Sequence, residues 1–232
     1  VPARGGIILD MRKMDRILDV DEEKRLVTVQ AGVLVRALAT HLEKRGFFVA
    51  DKPESWFSAT IGARTQANGI GYLYNSRYGQ SVDQIICLEV VLPTGDVIRT
   101  GPPKIYDPAA GYDLTRLFSC AEGTLGIVTE VTFRIYKLPE HRVFRIIAFP
   151  AYAEMISAVM AIRDSGLVPE TIETMDGIGY RLYLQGVNSG KVSAQQVPRT
   201  TGAMVIGYAG LKKIADAQVD LTQEICARFG GT

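Results

Sequence analysis

A chain of 232 residues, 47% hydrophobic and 22% charged, has the make-up of an ordinary globular protein with material for one large domain or one and a half. Its 26 basic and 25 acidic residues leave a net charge of +1 with no basic patch, which argues against a nucleic-acid partner. Cys87, Cys120 and Cys226 are too few and too far apart for a disulfide framework or a zinc-type cluster, and no segment reaches the ~18 apolar residues of a membrane helix.

The chain opens Val1-Pro2-Ala3-Arg4 without an initiator methionine, so the lack of a signal peptide carries little weight. Residues 6–10, 17–20 and 25–31 alternate like strands, with Leu26 and Thr28 facing one way and Val27 and Val29 the other. The charged run 21–24 reads as a solvated hairpin turn. A helix is predicted over 33–45, with Leu34, Leu38 and Leu42 on its buried face and Gly46 as its stop. From residue 51 to 79 the pattern breaks down into Gly, Asn, Ser, Thr and Tyr, with a short helix near Ala59; such stretches inside a domain are usually functional.

Order returns with a β-branched strand over 84–92, a Pro93-Thr94-Gly95-Asp96 turn and a return strand over 97–100. A short helix over 114–118 leads to a second glycine-bearing turn. A strand over 127–136 follows, on which Ile127, Val131, Phe133 and Ile135 share a face. Leu138-Pro139-Glu140 reads as a hinge. Beyond it strands (143–149, 171–175, 203–208) alternate with helices (151–164, 177–184, 212–229), the rhythm of a sheet covered by helices on one face.

Two clusters carry chemistry: Ser58 through Gly71 with Tyr78-Gly79, and Gly111 through Thr115 running into Cys120 through Thr129. Glycine lets the main chain approach a flat ring or a phosphate closely, and the neighbouring N–H groups can then bind heteroatoms. Thr60, Asn68 and Glu122 add side-chain donors and acceptors. Each glycine taken singly reads equally well as a turn residue between strands, and Gly46 and Gly95 are assigned to turns.

Together the clusters resemble the FAD-linked oxidases of the vanillyl-alcohol oxidase type, with PCMH-type FAD-binding domains, in particular the glycolate oxidase FAD subunit and D-lactate dehydrogenase group. The family pattern Ile-Gly-Gly-Asn…Asn-Ala-Gly-Gly stands here as Ile61-Gly62-Ala63-Arg64…Asn68-Gly69-Ile70-Gly71. Its Gly-Tyr-Asp-Leu-Thr…Gly-Ser-Glu-Gly-Thr-Leu-Gly-Ile-Ile-Thr stands as Gly111 to Thr115 and then Cys120-Ala121-Glu122-Gly123-Thr124-Leu125-Gly126-Ile127-Val128-Thr129. The resemblance covers nearly all of residues 2–184.

It implies an α+β chain: a PCMH-type FAD-binding lobe, a mixed or antiparallel sheet with flanking helices, followed by part of a ferredoxin-like α/β cap. Residues 1–138 would be the second lobe of the FAD-binding domain, its N-terminal phosphate-loop lobe missing, and 139–232 a partial substrate or cap domain. Pro53, Glu54, Ser55, Thr60, Ile61 and Gly62 would line the pyrophosphate and ribityl region of FAD. Asn68, Gly69, Tyr78 and Gly79 would lie close by, and Glu122, Gly126, Ile127 and Val128 would close over the adenine.

The implied activity is FAD-dependent oxidation of a small 2-hydroxy acid, with electrons passed to an acceptor protein or subunit. The implied location is cytoplasmic, or peripheral to a membrane through a partner. No metal ligand and no catalytic base is named within the chain, and the fragment alone is expected to be inactive. The alternative is a non-catalytic flavin-fold subunit or scaffold that binds a partner chain. A hydrolase is disfavoured, because no Gly-X-Ser-X-Gly elbow is present.

Other motifs fall away. The run 186–191 resembles a phosphate loop but is one residue short and lacks the closing Ser or Thr. His41 is expected on the solvated side of its helix and His141 at the surface. Cys120 is expected to be buried and structural. Trp56, Tyr72, Tyr74 and Tyr78 are weighed as stacking partners against ordinary packing.

Overall fold

The computed structural model describes residues 5–71, 73–102, 105, 111–187 and 201–232. It divides into two compact units, Val1–Leu138 and Pro139–Thr232. Tyr72 and most of the phosphate-loop-like run lie outside the described residues.

The first unit is built on a hairpin, β1 (Ile17–Asp21) and β2 (Leu26–Gln30). Asp21 Oδ1 accepts the Lys24 N–H at 2.9 Å to tighten the turn. Helix α1 (Val35–Glu43), the short β3 (Phe47–Phe48), α2 (Ile61–Ala67), α3 (Asn75–Tyr78) and α4 (Ser81–Gln84) follow. Next come β4 (Ile85–Val91), β5 (Val97–Arg99), α5 (Leu114–Phe118), β6 (Ile127–Arg134) and the short β7 (Tyr136–Lys137). The strands make an antiparallel sheet in the order β1-β2-β6-β4-β5, so the last long strand inserts between two earlier ones.

One sheet face carries Val27, Val29, Leu88, Val90, Val131 and Phe133, all buried against Val35, Leu38 and Leu42 of α1 and Ile61 of α2. Each such side chain contributes about 1.5–3 kcal/mol on leaving water. The face of α1 is set by Val35, Leu38, Ala39 and Leu42; Leu34 is the extended N-cap and only half-buried. Gly46 and Gly95 take left-handed φ values of +79° and +89°, ending the α1 region and closing the β4–β5 turn.

Three expectations need correction. Residues 6–10 are not a strand: they run without a ladder partner into a 3-10 turn at Met11–Lys13, leaving Ile7, Ile8 and Leu9 exposed. Alternation along β6 breaks at Thr129, where β4 steps from a Glu89–Glu130 pair to a Val90–Val128 pair. The extra residue is a β-bulge. It puts Val128 on the core face with Val131 and Phe133, and turns Ile127 out to 37% exposure. Lastly, His41 is half-buried rather than solvated, its Nε2 shut off from water without a partner.

The second unit comprises β8 (His141–Phe149), α6 (Tyr152–Asp164), β9 (Thr171–Met175), α7 (Gly177–Val187), β10 (Gly202–Gly210) and α8 (Lys212–Ala227). Strand β10 lies between β8 and β9 and runs antiparallel to both. β8 and β9 are therefore parallel, a split βαβ arrangement of the ferredoxin-like kind. Ile147, Phe149, Met204, Ile206 and Tyr208 pack on Met155, Ala158 and Ile162 of α6 and Ala215, Val219 and Cys226 of α8. Tyr208 keeps its buried hydroxyl satisfied by Thr222, 2.6 Å away. Glu170, fully buried, is neutralised by a two-pronged contact from Arg142 at 2.9 and 3.2 Å. His141 lies 3.3 Å from Asp216.

Among the described residues no helix is long and apolar enough to cross a membrane, and no group of His, Cys, Asp or Glu could hold a metal ion.

Candidate functional site

Helix α2 is placed by the chain that leaves β2. The Ile61 N–H donates to Val33 O at 2.8 Å and the Gly62 N–H to Ala31 O at 2.7 Å. Thr60 is the N-cap, its Oγ1 accepting from the Ala63 N–H at 3.4 Å. Gly62 is required by packing: a Cβ there would lie 2.7 Å from Ala31 Cβ and 3.0 Å from Ala31 O. Ala63 and Arg64, which replace the resembled Gly-Asn, sit inside the helix, where no left-handed residue is needed.

The helix closes at Asn68 in a left-handed conformation (φ +42°). Asn68 Nδ2 donates to Gln80 Oε1 at 2.8 Å, and its Oδ1 accepts the Val82 N–H at 3.2 Å. Arg64 turns away to a buried ion pair with Asp51, which also accepts from Ser81 Oγ at 2.9 Å. The Arg64 guanidinium lies against Gly69, where any Cβ would collide with it.

The second motif begins with Asp113 capping α5, its Oδ1 accepting the Arg116 N–H at 2.9 Å. It continues into a tight turn in which Cys120, Glu122 and Gly123 have φ values of +60°, +49° and +78°. Two non-glycine residues in that region are unusual and need compensation. Compensation comes from the end of α2. Cys120 N–H donates to Thr65 O at 3.2 Å, Glu122 N–H to Gln66 O at 3.3 Å, and Gly123 N–H to the Gln66 side-chain Oε1 at 2.9 Å. Cys120 itself is exposed, contrary to the buried role its sequence setting suggests. Gly126 then passes close to β4, where a Cβ would meet Val90 Cγ1 at 2.6 Å.

These contacts bring the two motifs to one place. Between them and the residues before β1 lies an open cleft of about 730 Å³. That is within the range of about 300–1,000 Å³ usual for small-molecule sites. Ile8, Leu9, Ala31, Gly62, Ala63, Ala67, Gly126, Ile127 and Val128 give it small or apolar walls. Thr60, Gln66, Glu122, Asp10 and Arg12 supply its polar groups. Hydrogen bonds from Arg12 hold the Asp10 carboxyl down at about 2. Gln66 Nε2 is buried without a partner. Walls of this kind, with bare main chain and a few polar groups, fit a flat heterocycle.

Of the residues singled out in the sequence, Thr60, Gly62, Glu122, Gly126, Ile127 and Val128 border the cleft. Ile61 is core. Asn68, Gly69 and Gly79 belong to the polar hub around Asp51, Gln80 and Asp83; Gly79 Cα stands over Asp83, and Gln80 N–H donates to Asp83 Oδ2 at 2.8 Å. Tyr78 packs with Phe48, Tyr74 and Tyr136, its ring 4.5 Å from that of Tyr136. Pro53, Glu54 and Ser55 form the turn that leads to Trp56, whose ring lies beneath Lys52 Nζ at 3.9 Å. None of these last groups borders the cleft. Sequence reasoning missed Ile8, Leu9, Asp10, Met11, Arg12, Ala31, Ala63, Gln66, Ala67 and Gly123 as site residues. Gln66 and Ala67 lie inside the first motif, so its helical period carried a signal; the 8–12 segment was masked by its strand-like apolar run.

Comparison with known proteins adds the family. A model described as "FAD binding domain" matches residues 1–101, and one described as "FAD linked oxidases, C-terminal domain" matches residues 138–232. The chain is 39% identical over 178 residues to glycolate oxidase subunit GlcD of Bacillus subtilis (strain 168), covering 75% of this chain and 37% of that protein. It is 32% identical over 229 residues to the mitochondrial D-lactate dehydrogenase [cytochrome] of Arabidopsis thaliana, covering 99% of this chain and 38% of the relative. The chain thus spans well under half the length of these relatives. Among solved structures, an alkyldihydroxyacetonephosphate synthase superposes with a TM-score of 0.79 at 24% identity, over 96% of this chain and 44% of that one, a likeness of fold. The two domain models indicate FAD as the cofactor, and the chain belongs to the FAD-linked oxidase family.

Proposed function

We propose that this chain is part of an FAD-dependent oxidoreductase that removes a hydride from a small 2-hydroxy acid of the glycolate or D-lactate type. The observation that carries the reading is the hydrogen-bonded junction at Thr65 and Gln66, which closes both glycine-bearing motifs on a single cleft. The activities for which the relatives are named supply the substrate class.

In this reading residues 1–138 act as the second lobe of the flavin domain and residues 139–232 as part of the substrate cap. Ala31, Gly62 and Gly126 let a planar ring approach main chain, while Thr60 and Glu122 orient it by hydrogen bonds. Ile127 and Val128 cover one side and keep water from it. Ile61, Asn68, Gly69, Tyr78, Gly79 and the Pro53-Glu54-Ser55 turn hold those residues in place from behind. FAD, when bound, supplies the two-electron acceptor, and the protein's share is binding and orientation. A cytoplasmic site, or attachment to a membrane through the electron-accepting partner, completes the proposal.

The test uses the complete protein, purified without added flavin. A visible flavin band that bleaches when D-lactate or glycolate is added without oxygen is the expected result. A band that no small 2-hydroxy acid bleaches refutes the substrate class. No band, with no saturable uptake of FAD, refutes the cofactor and favours a non-catalytic scaffold.

A further inference from the structure

The polar groups of the cleft are unevenly charged. Asp10 and Glu122 are acidic, and Arg12 is the one basic side chain among the described residues that line it. Arg12 lies in the 3-10 turn capped by Asp10. It is 83% exposed, so its head is available to a ligand entering the cleft.

Asp10 occupies only one edge of the guanidinium. Its carboxylate accepts from Arg12 Nε at 2.9 Å and from Nη2 at 2.5 Å. A guanidinium has five N–H donors in a planar fork. One Nη2 hydrogen and both on Nη1 therefore remain, and the Nη2 hydrogen and one of the Nη1 pair lie parallel along the other edge. Two parallel N–H groups at that spacing match two phosphate oxygens. The Asp10 contact fixes the fork in advance, so less side-chain freedom is lost when an anion arrives.

We propose that Arg12 is a diphosphate-binding residue: its free edge clamps the phosphate oxygens of the dinucleotide whose ring occupies the cleft. The assignment rests on the flavin reading of that cleft. It gives the 8–12 segment, which motif reading leaves without a role, a part in cofactor affinity.

The test compares the complete protein with its Arg12→Gln and Arg12→Lys variants, each stripped of flavin and titrated with FAD and with riboflavin, which carries the ring but no phosphate. For Arg12→Gln the Kd for FAD should rise about tenfold while riboflavin binding is unchanged, the loss of a charged hydrogen bond to phosphate. Arg12→Lys, which keeps the charge and loses the fork, should fall between, and it keeps the test decisive if the Gln variant fails to accumulate. Added salt should weaken FAD binding more in the wild type than in Arg12→Gln. An unchanged FAD affinity in Arg12→Gln, or equal losses for FAD and riboflavin, overturns the proposal. Wild-type protein that binds neither ligand refutes the flavin reading beneath it, and the assignment falls with it.

Discussion

Substituting Gly62 by alanine tests the packing that builds the cleft. In an open helix the change stabilises by about 1 kcal/mol, because alanine has less backbone entropy to lose. Here the new methyl would sit 2.7 Å from Ala31 Cβ and 3.0 Å from Ala31 O. Ala31 cannot yield easily, since its N–H is bonded to Thr129 O at 2.8 Å and its carbonyl to the Gly62 N–H at 2.7 Å. Overpacking at such a site costs about 1–3 kcal/mol. Set against the gain of about 1 kcal/mol, this leaves a net destabilisation of up to about 2 kcal/mol, which lowers the melting temperature of a unit this size by up to about 8 °C. Thermal unfolding of the flavin-free protein reads it directly. Ala31→Gly should lose stability alone but recover part of the loss when combined with Gly62→Ala, with a coupling of about 1 kcal/mol. A melting temperature that rises in Gly62→Ala refutes the close approach, and with it the account of why α2 sits against the cleft.

Four further outcomes are expected. Arg64→Met strands the buried Asp51 carboxylate, which is 1% exposed; urea unfolding should show a loss of about 3–5 kcal/mol, partly restored by adding Asp51→Asn. Gln66→Ala removes the acceptor of the Gly123 N–H; that amide should exchange with solvent faster while amides in the second unit stay protected, and FAD affinity should fall. Burial lifts the Cys226 thiol from 9.0 to about 11. Between those values the unfolded chain has released a proton that the folded one retains, so stability is full below about pH 9 and falls as pH rises towards about 11, by at most about 2–3 kcal/mol. Urea midpoints across that window should fall in the wild type and fall less in Cys226→Ala. Exposed Cys120 should be alkylated before buried Cys87 and Cys226.

The element pattern was readable from the sequence wherever one local rule sufficed. Strands β2 and β4 follow from alternation and β-branching, and α6 and α8 from helical apolar spacing. Local rules failed where a neighbour decides the outcome. Gly6 to Asp10 has the composition of a strand, but a strand needs a partner, and among the described residues this segment has none in the sheet. Leu34 keeps the spacing of a core residue yet falls at the cap, so α1 turns its face towards Val35 and Ala39 instead. Cys120 reads as a small buried apolar residue, whereas a turn with φ +60° points it outward.

The cleft shows why only part of its wall could be found that way. Its position is set at Ala31, just past the end of β2, where two networks meet: β6 reaches it through Thr129 O, and α2 through the Gly62 N–H. Each network interrupts a regular pattern. The bulge at Thr129 ends the alternation of β6 and delivers Ile127 to the cleft, while Gly62 removes a side chain so that α2 can close on the strand end. Continued ladders would bury every side chain on one face and expose the other, leaving no concavity. Glycines mark the second interruption in the sequence, and so the glycine motifs were found. A bulge is a mismatch between two strands rather than a property of either, and Gln66 owes its place to contacts across a long stretch of chain. A reading confined to motifs therefore recovers the main-chain side of the cleft and misses the side chains that complete it.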